Sequence, residues 1–127
     1  MASLDSTNVL TDIGLHEGRI FCGEQPKSRR PEYGKAVQVA VGWLATARPQ
    51  ATEDKAFQLL GLIWGQAKPE VIRKAARALL GEQRSDGGWA QVPALASDAY
   101  ATGEALVALK QSGTLSVSDS VCKRLCL

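Results

Sequence analysis

The chain has little of what several specialised protein classes need. It contains three cysteines and one histidine in 127 residues. An odd number of cysteines cannot all pair, so the sequence favours reduced thiols over a disulfide framework. The three are Cys22, Cys122 and Cys126. No run of about 20 apolar residues, the length that spans a membrane, occurs anywhere in the chain. The sequence therefore predicts neither a disulfide-stabilised secreted scaffold nor a transmembrane segment.

An excess of charge of one sign is also missing. The formal net charge is +2 at pH 7, and 22% of the residues are charged. This balance gives no basis for a nucleic acid or an anionic membrane as a partner. Residues 1–30 contain Asp5, Asp12 and Glu17 and lack the apolar centre of a signal peptide. We therefore expect no nucleic-acid partner and, by default, a cytoplasmic location.

Apolar residues make up 45% of the chain and follow helical spacing. They recur at positions i, i+1, i+4 and i+5 in three stripes, which is typical of helices that pack on one face. The stripes are Ala36, Val37, Ala40, Val41, Leu44 and Ala45; Val71, Ile72, Ala75, Ala76, Leu79 and Leu80; and Val121, Cys122, Leu125 and Cys126. Two further helices are predicted between the stripes, at about 53–66 and 97–111. The sequence thus predicts an all-α fold of antiparallel helical hairpins.

The domain organisation follows from these stripes. Residues 1–34 show no clean period and contain Pro26, Pro31 and the basic run from Lys27 to Arg30, so we interpret them as a loosely ordered N-terminal arm. Residues 35–127 then hold about two hairpins and the start of a third. Since about three or more stacked units are normally needed for stability, we expect a truncated or fragmentary member of a longer array. Self-association through the open repeat ends is a corresponding expectation.

The turn between the second stripe and the next helix has defined chemistry. A helix is predicted from Pro69 to Gln83, and the two adjacent glycines should end it because they permit positive φ. Ser97 is the predicted cap of the following helix. The motif residues in this turn are Gln83, Asp86, Gly87, Gly88 and Trp89.

This spacing, with Lys74-Ala75 and Leu79-Leu80 ahead of it, resembles the QW repeat of squalene–hopene cyclases. Residues 97–103, Ser-Asp-Ala-Tyr-Ala-Thr-Gly, look like the helix that follows the repeat in squalene-cyclase-like proteins. The resemblance covers about residues 35–127 and extends to the protein prenyltransferase β subunits. It implies an α/α toroid, a partial barrel or solenoid arc here, with the striped helices outside and the helices of Phe57 and Tyr100 inside. It also implies that the Gln amide bonds helix-end backbone groups and that the Trp indole packs against it.

The catalytic elements of these relatives are not found in the sequence. The resemblance would place an Asp-x-Asp-Asp acid in a cyclase and a zinc site of Asp, Cys and His in a prenyltransferase. No Asp-x-Asp-Asp occurs, and His16 lies in the arm. We therefore expect no catalytic residue, metal or cofactor, and interpret the chain as a non-catalytic scaffold or interaction module. The alternatives are a fragment of a terpenoid cyclase, an intramolecular transferase or isomerase, and a helical module that binds a hydrophobic or isoprenoid ligand.

Some side chains have both a functional and a structural interpretation. The candidates to face a lumen or a ligand are Trp64, Asp98, Tyr100 and Glu104. Aromatic residues at helical spacing also serve as packing, and an Asp in the first turn of a helix also serves the helix dipole. Cys122 and Cys126 share one helix face, where they suit either a metal or, as core cysteines, the apolar stripe.

Overall fold

The computed structural model describes residues 30–114. This part of the chain forms four helices, α1 (Arg30–Thr46), α2 (Thr52–Trp64), α3 (Pro69–Leu80) and α4 (Ala99–Gln111). It contains no strand beyond an isolated antiparallel bridge between Trp89 and Asp98. The prediction of an all-α fold built from helical hairpins is confirmed.

Helix α1 begins at Arg30, ahead of Lys35, where the first apolar stripe suggested that the fold starts. Pro31 lies in its first turn, where the missing N–H of proline costs nothing, and Glu32 is placed favourably at the positive end of the helix dipole. Residues 30–34, assigned from the sequence to the N-terminal arm, therefore belong to a helix. Residues 1–29 lie outside the described part, and the division into an arm and a repeat segment stays a prediction.

Two helices end earlier than their apolar patterns indicated. α3 ends at Leu80 instead of Gln83, because Gly81 caps it and the chain then turns so that the Arg84 N–H donates to the Gly88 carbonyl at 2.9 Å. α2 ends at Trp64 instead of Gln66, since Gln66 takes the left-handed conformation with φ of 56°. In both cases the turn that follows sets the end of the helix.

The core lies around α2, which packs against each of the other three helices. One buried cluster joins α2, α3 and α4 and includes Leu59, Leu79, Trp89 and Leu109. A second cluster joins α1 to α2 and to partly buried residues of α3, and is built from Val37, Val41, Leu44 and Leu62. Helices α2 and α4 therefore lie side by side, α3 packs against both of them, and α1 packs against α2.

The stripes are buried to different extents. Every member of the second stripe is at least half-buried, whereas Ala36 and Ala45 at the margins of the first stripe are exposed. The buried face of α1 is thus narrower than its apolar pattern predicted. The third stripe, with Cys122 and Cys126, lies outside the described residues.

Candidate functional site

Trp89 is the centre of the loop that joins α3 to α4. Its side chain is completely buried. The indole Nε1–H donates to the carbonyl oxygen of Leu79 at 2.9 Å, and the N–H of Glu82 donates to the same oxygen at 3.2 Å. The last carbonyls of a helix have no partner within it. The indole therefore satisfies part of the C-terminal end of α3 while its ring fills the core.

Gln83 acts on the loop instead of the helix end. Its Nε2 amide donates to the carbonyl oxygen of Gly87 at 2.8 Å. The family resemblance implied that this amide would bond helix-end backbone groups, and in this chain the indole of Trp89 does so. The difference arises because α3 stops at Leu80, so that Gln83 already lies within the turn it stabilises.

Asp86 closes the turn from the other side. Its Oδ1 accepts hydrogen bonds from the Gly88 N–H at 2.9 Å and from the Ser97 hydroxyl at 3.1 Å. These bonds, first that of Gly88 and then that of Ser97, lower the pKa of Asp86 below its usual value. The carboxylate thus acts as an acceptor that links the two ends of the loop.

The two glycines of the motif are required for different reasons. Gly87 has φ of 85°, which only glycine adopts without strain. Gly88 lies against the start of α4, where a Cβ would come within 3.0 Å of the Ser97 Cβ and 3.1 Å of the Thr102 Oγ1. One glycine is needed for the turn and the other for close packing.

Asp98 is the N-cap of α4. Its carboxylate accepts from the Ala101 N–H at 2.9 Å. The prediction that Ser97 caps this helix is wrong, because the hydroxyl of Ser97 donates to Asp86 instead. The cap residue is also joined to Trp89, because the Asp98 N–H donates to the Trp89 carbonyl at 3.0 Å. In addition, the Trp89 N–H donates to Oγ1 of Thr102 in the first turn of α4 at 3.0 Å.

The residues after Trp89 fasten this loop to the first hairpin. The N–H of Thr52, the first residue of α2, donates to the Gln91 carbonyl at 3.0 Å, and its hydroxyl donates to the Ala90 carbonyl. Lys55 of α2 forms an ion pair with Glu82 beyond α3. Consecutive hairpins are therefore tied together by hydrogen bonds at one end of the helices.

Gln58 has a comparable role that the sequence did not reveal. Its Nε2 amide donates to the carbonyl oxygens of Leu44 at 2.8 Å and Ala47 at 3.1 Å, at the C-terminal end of α1. The first hairpin lacks the Asp-Gly-Gly-Trp turn, and here an amide from the neighbouring helix binds the helix end. The available signal was a lone amide next to the apolar pair Leu59-Leu60.

A groove of about 410 Å³ runs between α2 and α4. This α2–α4 groove is lined mostly by apolar and aromatic side chains. Its lining residues are Ala56, Phe57 and Leu60 of α2 with Ala99, Tyr100, Gly103, Glu104 and Val107 of α4. Its size and composition fall in the range of small-molecule sites.

The polar groups of the α2–α4 groove are acidic or phenolic. The Tyr100 hydroxyl donates to Glu53 Oε1 at 3.3 Å. The pKa of Tyr100 is raised to about 12. The main cause is a hydrogen bond to Glu104, followed by the negative charges of Glu104 and Glu53. Burial raises the pKa of Glu104, and the charges of Glu53 and Asp98 raise it further, against a hydrogen bond from Tyr100 that lowers it. The Oε2 atom of Glu104 is buried and has no hydrogen-bond partner within residues 30–114.

The structure separates the four candidates for a ligand-facing role. Tyr100 and Glu104 line the α2–α4 groove. Trp64 packs against the buried cluster of α2, α3 and α4, and Asp98 caps α4, so neither is among the residues that line the groove. His16 and the three cysteines lie outside the described residues.

Within residues 30–114, no helix has the length and apolar character needed to cross a membrane. In the same range, no three His, Cys, Asp or Glu side chains are grouped so that they could hold a metal ion.

Comparison with known proteins identifies a family for most of the chain. The family model for the squalene-hopene cyclase N-terminal domain matches residues 36–123, which is more than half of the chain. Comparison with curated proteins and with solved structures gives no match. The matched range contains all five residues of the motif in the α3–α4 turn and the greater part of each described helix. The chain therefore belongs to the squalene-hopene cyclase N-terminal domain family.

Proposed function

We propose that this chain works as a helical interaction module, a scaffold whose hairpins stack on a further copy of themselves. The observation that carries this proposal is that α1 is apolar on two faces. Val37 and Val41 are buried against α2 and α3, whereas Val39 is 67% exposed and Trp43 is 41% exposed. A helix that is apolar on more than one face is normally covered on each of them.

A second copy suits the uncovered face because the chain already stacks hairpins on each other. Within residues 30–114, the first hairpin packs on the second through apolar helix faces. Val39 and Trp43 are four residues apart on α1 and therefore share one face. Repeat proteins extend by reusing such faces, and stacking in solution would continue the same arrangement.

The roles of the motif side chains support a scaffold. Gln83, Asp86 and Trp89 each form hydrogen bonds within the protein that shape the turn or join it to a helix. These bonds give the three side chains a structural role, because they shape the α3–α4 turn and hold the two helices of the second hairpin at its ends.

Sedimentation equilibrium of the 127-residue chain tests this proposal. We expect an average mass above that of the monomer which rises with protein concentration. Val39→Lys should shift the chain towards the monomer, because it places a charge on the uncovered face. Gln38→Lys, which adds the same charge at a neighbouring exposed position, is the matched control and should leave association unchanged. A wild-type chain that is monomeric at every concentration would overturn the proposal.

A second candidate function is the binding of a hydrophobic ligand in the α2–α4 groove. The specific observation that favours it is the apolar lining of Phe57, Leu60 and Val107, of which Val107 is 52% exposed. Burying this surface under an apolar ligand would contribute roughly 25 cal/mol for each Å² removed from water. Titration with a linear alcohol, followed by the NMR shifts of the groove amides, tests it.

A further inference from the structure

We propose that the α2–α4 groove selects an aliphatic amine, which lies with its ammonium group beside Glu104 and its carbon chain along Phe57, Leu60 and Val107. This inference rests on the ligand-binding role proposed for the groove. It adds the head group that the ligand carries.

The apolar part of the groove sets the body of the ligand. Side chains of α2 form one wall and side chains of α4 the other, with Gly103 between Tyr100 and Val107 along α4. A flexible aliphatic chain can follow a furrow of this kind and remove both walls from water.

The charges around the groove set the head group. Glu104 lines it, and Glu53 lies within hydrogen-bonding distance of the Tyr100 hydroxyl at 3.3 Å. None of the residues that line the groove is Lys, Arg or His. The local potential is therefore negative, which favours a cation over a neutral or anionic head group.

Glu104 is the carboxylate of the groove that a bound cation would stabilise most. Its Oε2 atom is shielded from water and has no hydrogen-bond partner in the described part of the chain. A carboxylate that has lost hydration on one side is stabilised when a positive charge reaches its other oxygen. Tyr100 also lines the groove, and aromatic rings attract ammonium groups.

Gly103 provides a way to block the groove without disturbing the fold. A Cβ at this position would meet no heavy atom within 4 Å. Gly103 lies inside α4 with an ordinary helical conformation, so a longer side chain is compatible with the helix. Gly103→Leu should therefore fill the groove while keeping the protein folded.

The test is a comparison of three ligands with one carbon skeleton: 1-octylamine, 1-octanol and octanoate. Binding to the full chain is measured by NMR at about pH 8, where an alkylamine is protonated. We expect the amine to bind roughly fivefold more tightly than the alcohol, the ratio that a partly exposed ion pair provides, and octanoate to bind most weakly. Glu104→Gln should make the amine and the alcohol bind equally, and Gly103→Leu should abolish the binding of both.

The outcomes distinguish failure of the groove as a ligand site from failure of the inferred ammonium head group. Glu70→Gln, which removes an exposed carboxylate of α3 outside the groove, should leave all three affinities unchanged. If the amine and the alcohol bind wild type equally, the groove binds apolar ligands but the inferred head group is wrong. If no ligand binds, or if Gly103→Leu leaves binding intact, the groove itself is not the site and both proposals fail. Thermal unfolding of each variant confirms that it is folded.

Discussion

Trp89 combines two stabilising roles in a single residue. Its ring is fully buried among α2, α3 and α4, and its N–H group bonds the Leu79 carbonyl at the end of α3. A smaller side chain would therefore leave both a cavity and a less satisfied helix end. The neighbouring Gln83 acts on the backbone of the same loop through Gly87.

The shared loop predicts coupled effects of mutation. Trp89→Ala should lower the free energy of unfolding by roughly 3–5 kcal/mol, as is usual for a buried Trp. Gln83→Ala should cost about 1 kcal/mol, the value of one hydrogen bond. Together they should cost less than the sum, with a coupling of about 0.5–3 kcal/mol, because the loop that Gln83 holds is positioned by Trp89. Chemical denaturation of the two single variants and the double variant measures this coupling. Strict additivity would contradict it.

Asp86 predicts a pH dependence of stability. Its folded pKa lies below the unfolded value of 3.8, because the carboxylate accepts from Gly88 and Ser97. The contribution of Asp86 is thus complete above the unfolded pKa and is lost as the pH falls through the folded pKa. Wild type should have a higher Tm than Asp86→Ala at neutral pH, and the difference should shrink below about pH 4. Thermal unfolding across this range provides the measurement, with Asp86→Asn, which keeps an acceptor but does not titrate, as the control. A difference that stays constant with pH would refute the role of the charge.

At the scale of the elements, two helix ends are bound by side chains from other elements, whereas α4 begins at an ordinary N-cap. Gln58 of α2 binds the end of α1, Trp89 binds the end of α3, and Asp98 begins α4. The apolar stripes predicted that these helices exist, since burial repeats every 3.6 residues. The stripes could not locate the ends of α1 and α3, because the bonds from Gln58 and Trp89 form only once these residues pack against the helix ends.

The start of α4 provides the test at this scale. Asp98→Ala should destabilise the protein by about 1 kcal/mol, because the Ala101 N–H loses its acceptor. Ser97→Ala is the matched comparison, since Ser97 was the expected cap but bonds Asp86 at an exposed position. We expect its effect to be smaller, within about 0.5 kcal/mol. Equal losses of Tm in the two variants would contradict the assignment of Asp98 as the cap.

At the scale of the whole molecule, the sequence predicted the class of fold and the family more completely than the candidate site. The helical stripes and the Gln83-to-Trp89 motif indicated hairpins of the squalene-cyclase type, and the family match to residues 36–123 confirms this membership. Of the four candidates for a ligand-facing role, Tyr100 and Glu104 line the α2–α4 groove and Trp64 and Asp98 do not, and a ligand-facing role stays a prediction. Helical spacing gives the face on which a residue lies, but not whether a neighbouring helix covers that face. Val107 was therefore recognised as a lining residue only from the packing of α2 on α4.

The bonds from Thr52 to Gln91 and from Asp98 to Trp89 have a consequence for the opening of the protein. These amide protons lie in and beside a loop, where exchange with solvent water is usually fast. Here each of them joins one hairpin to the backbone of the α3–α4 connection. The Thr52 bond crosses from the first hairpin to this connection, so we expect its amide proton to exchange mainly when the two hairpins separate. The Asp98 bond lies within the second hairpin, so we expect its amide proton to exchange when the start of α4 opens. Exchange at these two amides therefore distinguishes undocking of the hairpins from fraying of α4.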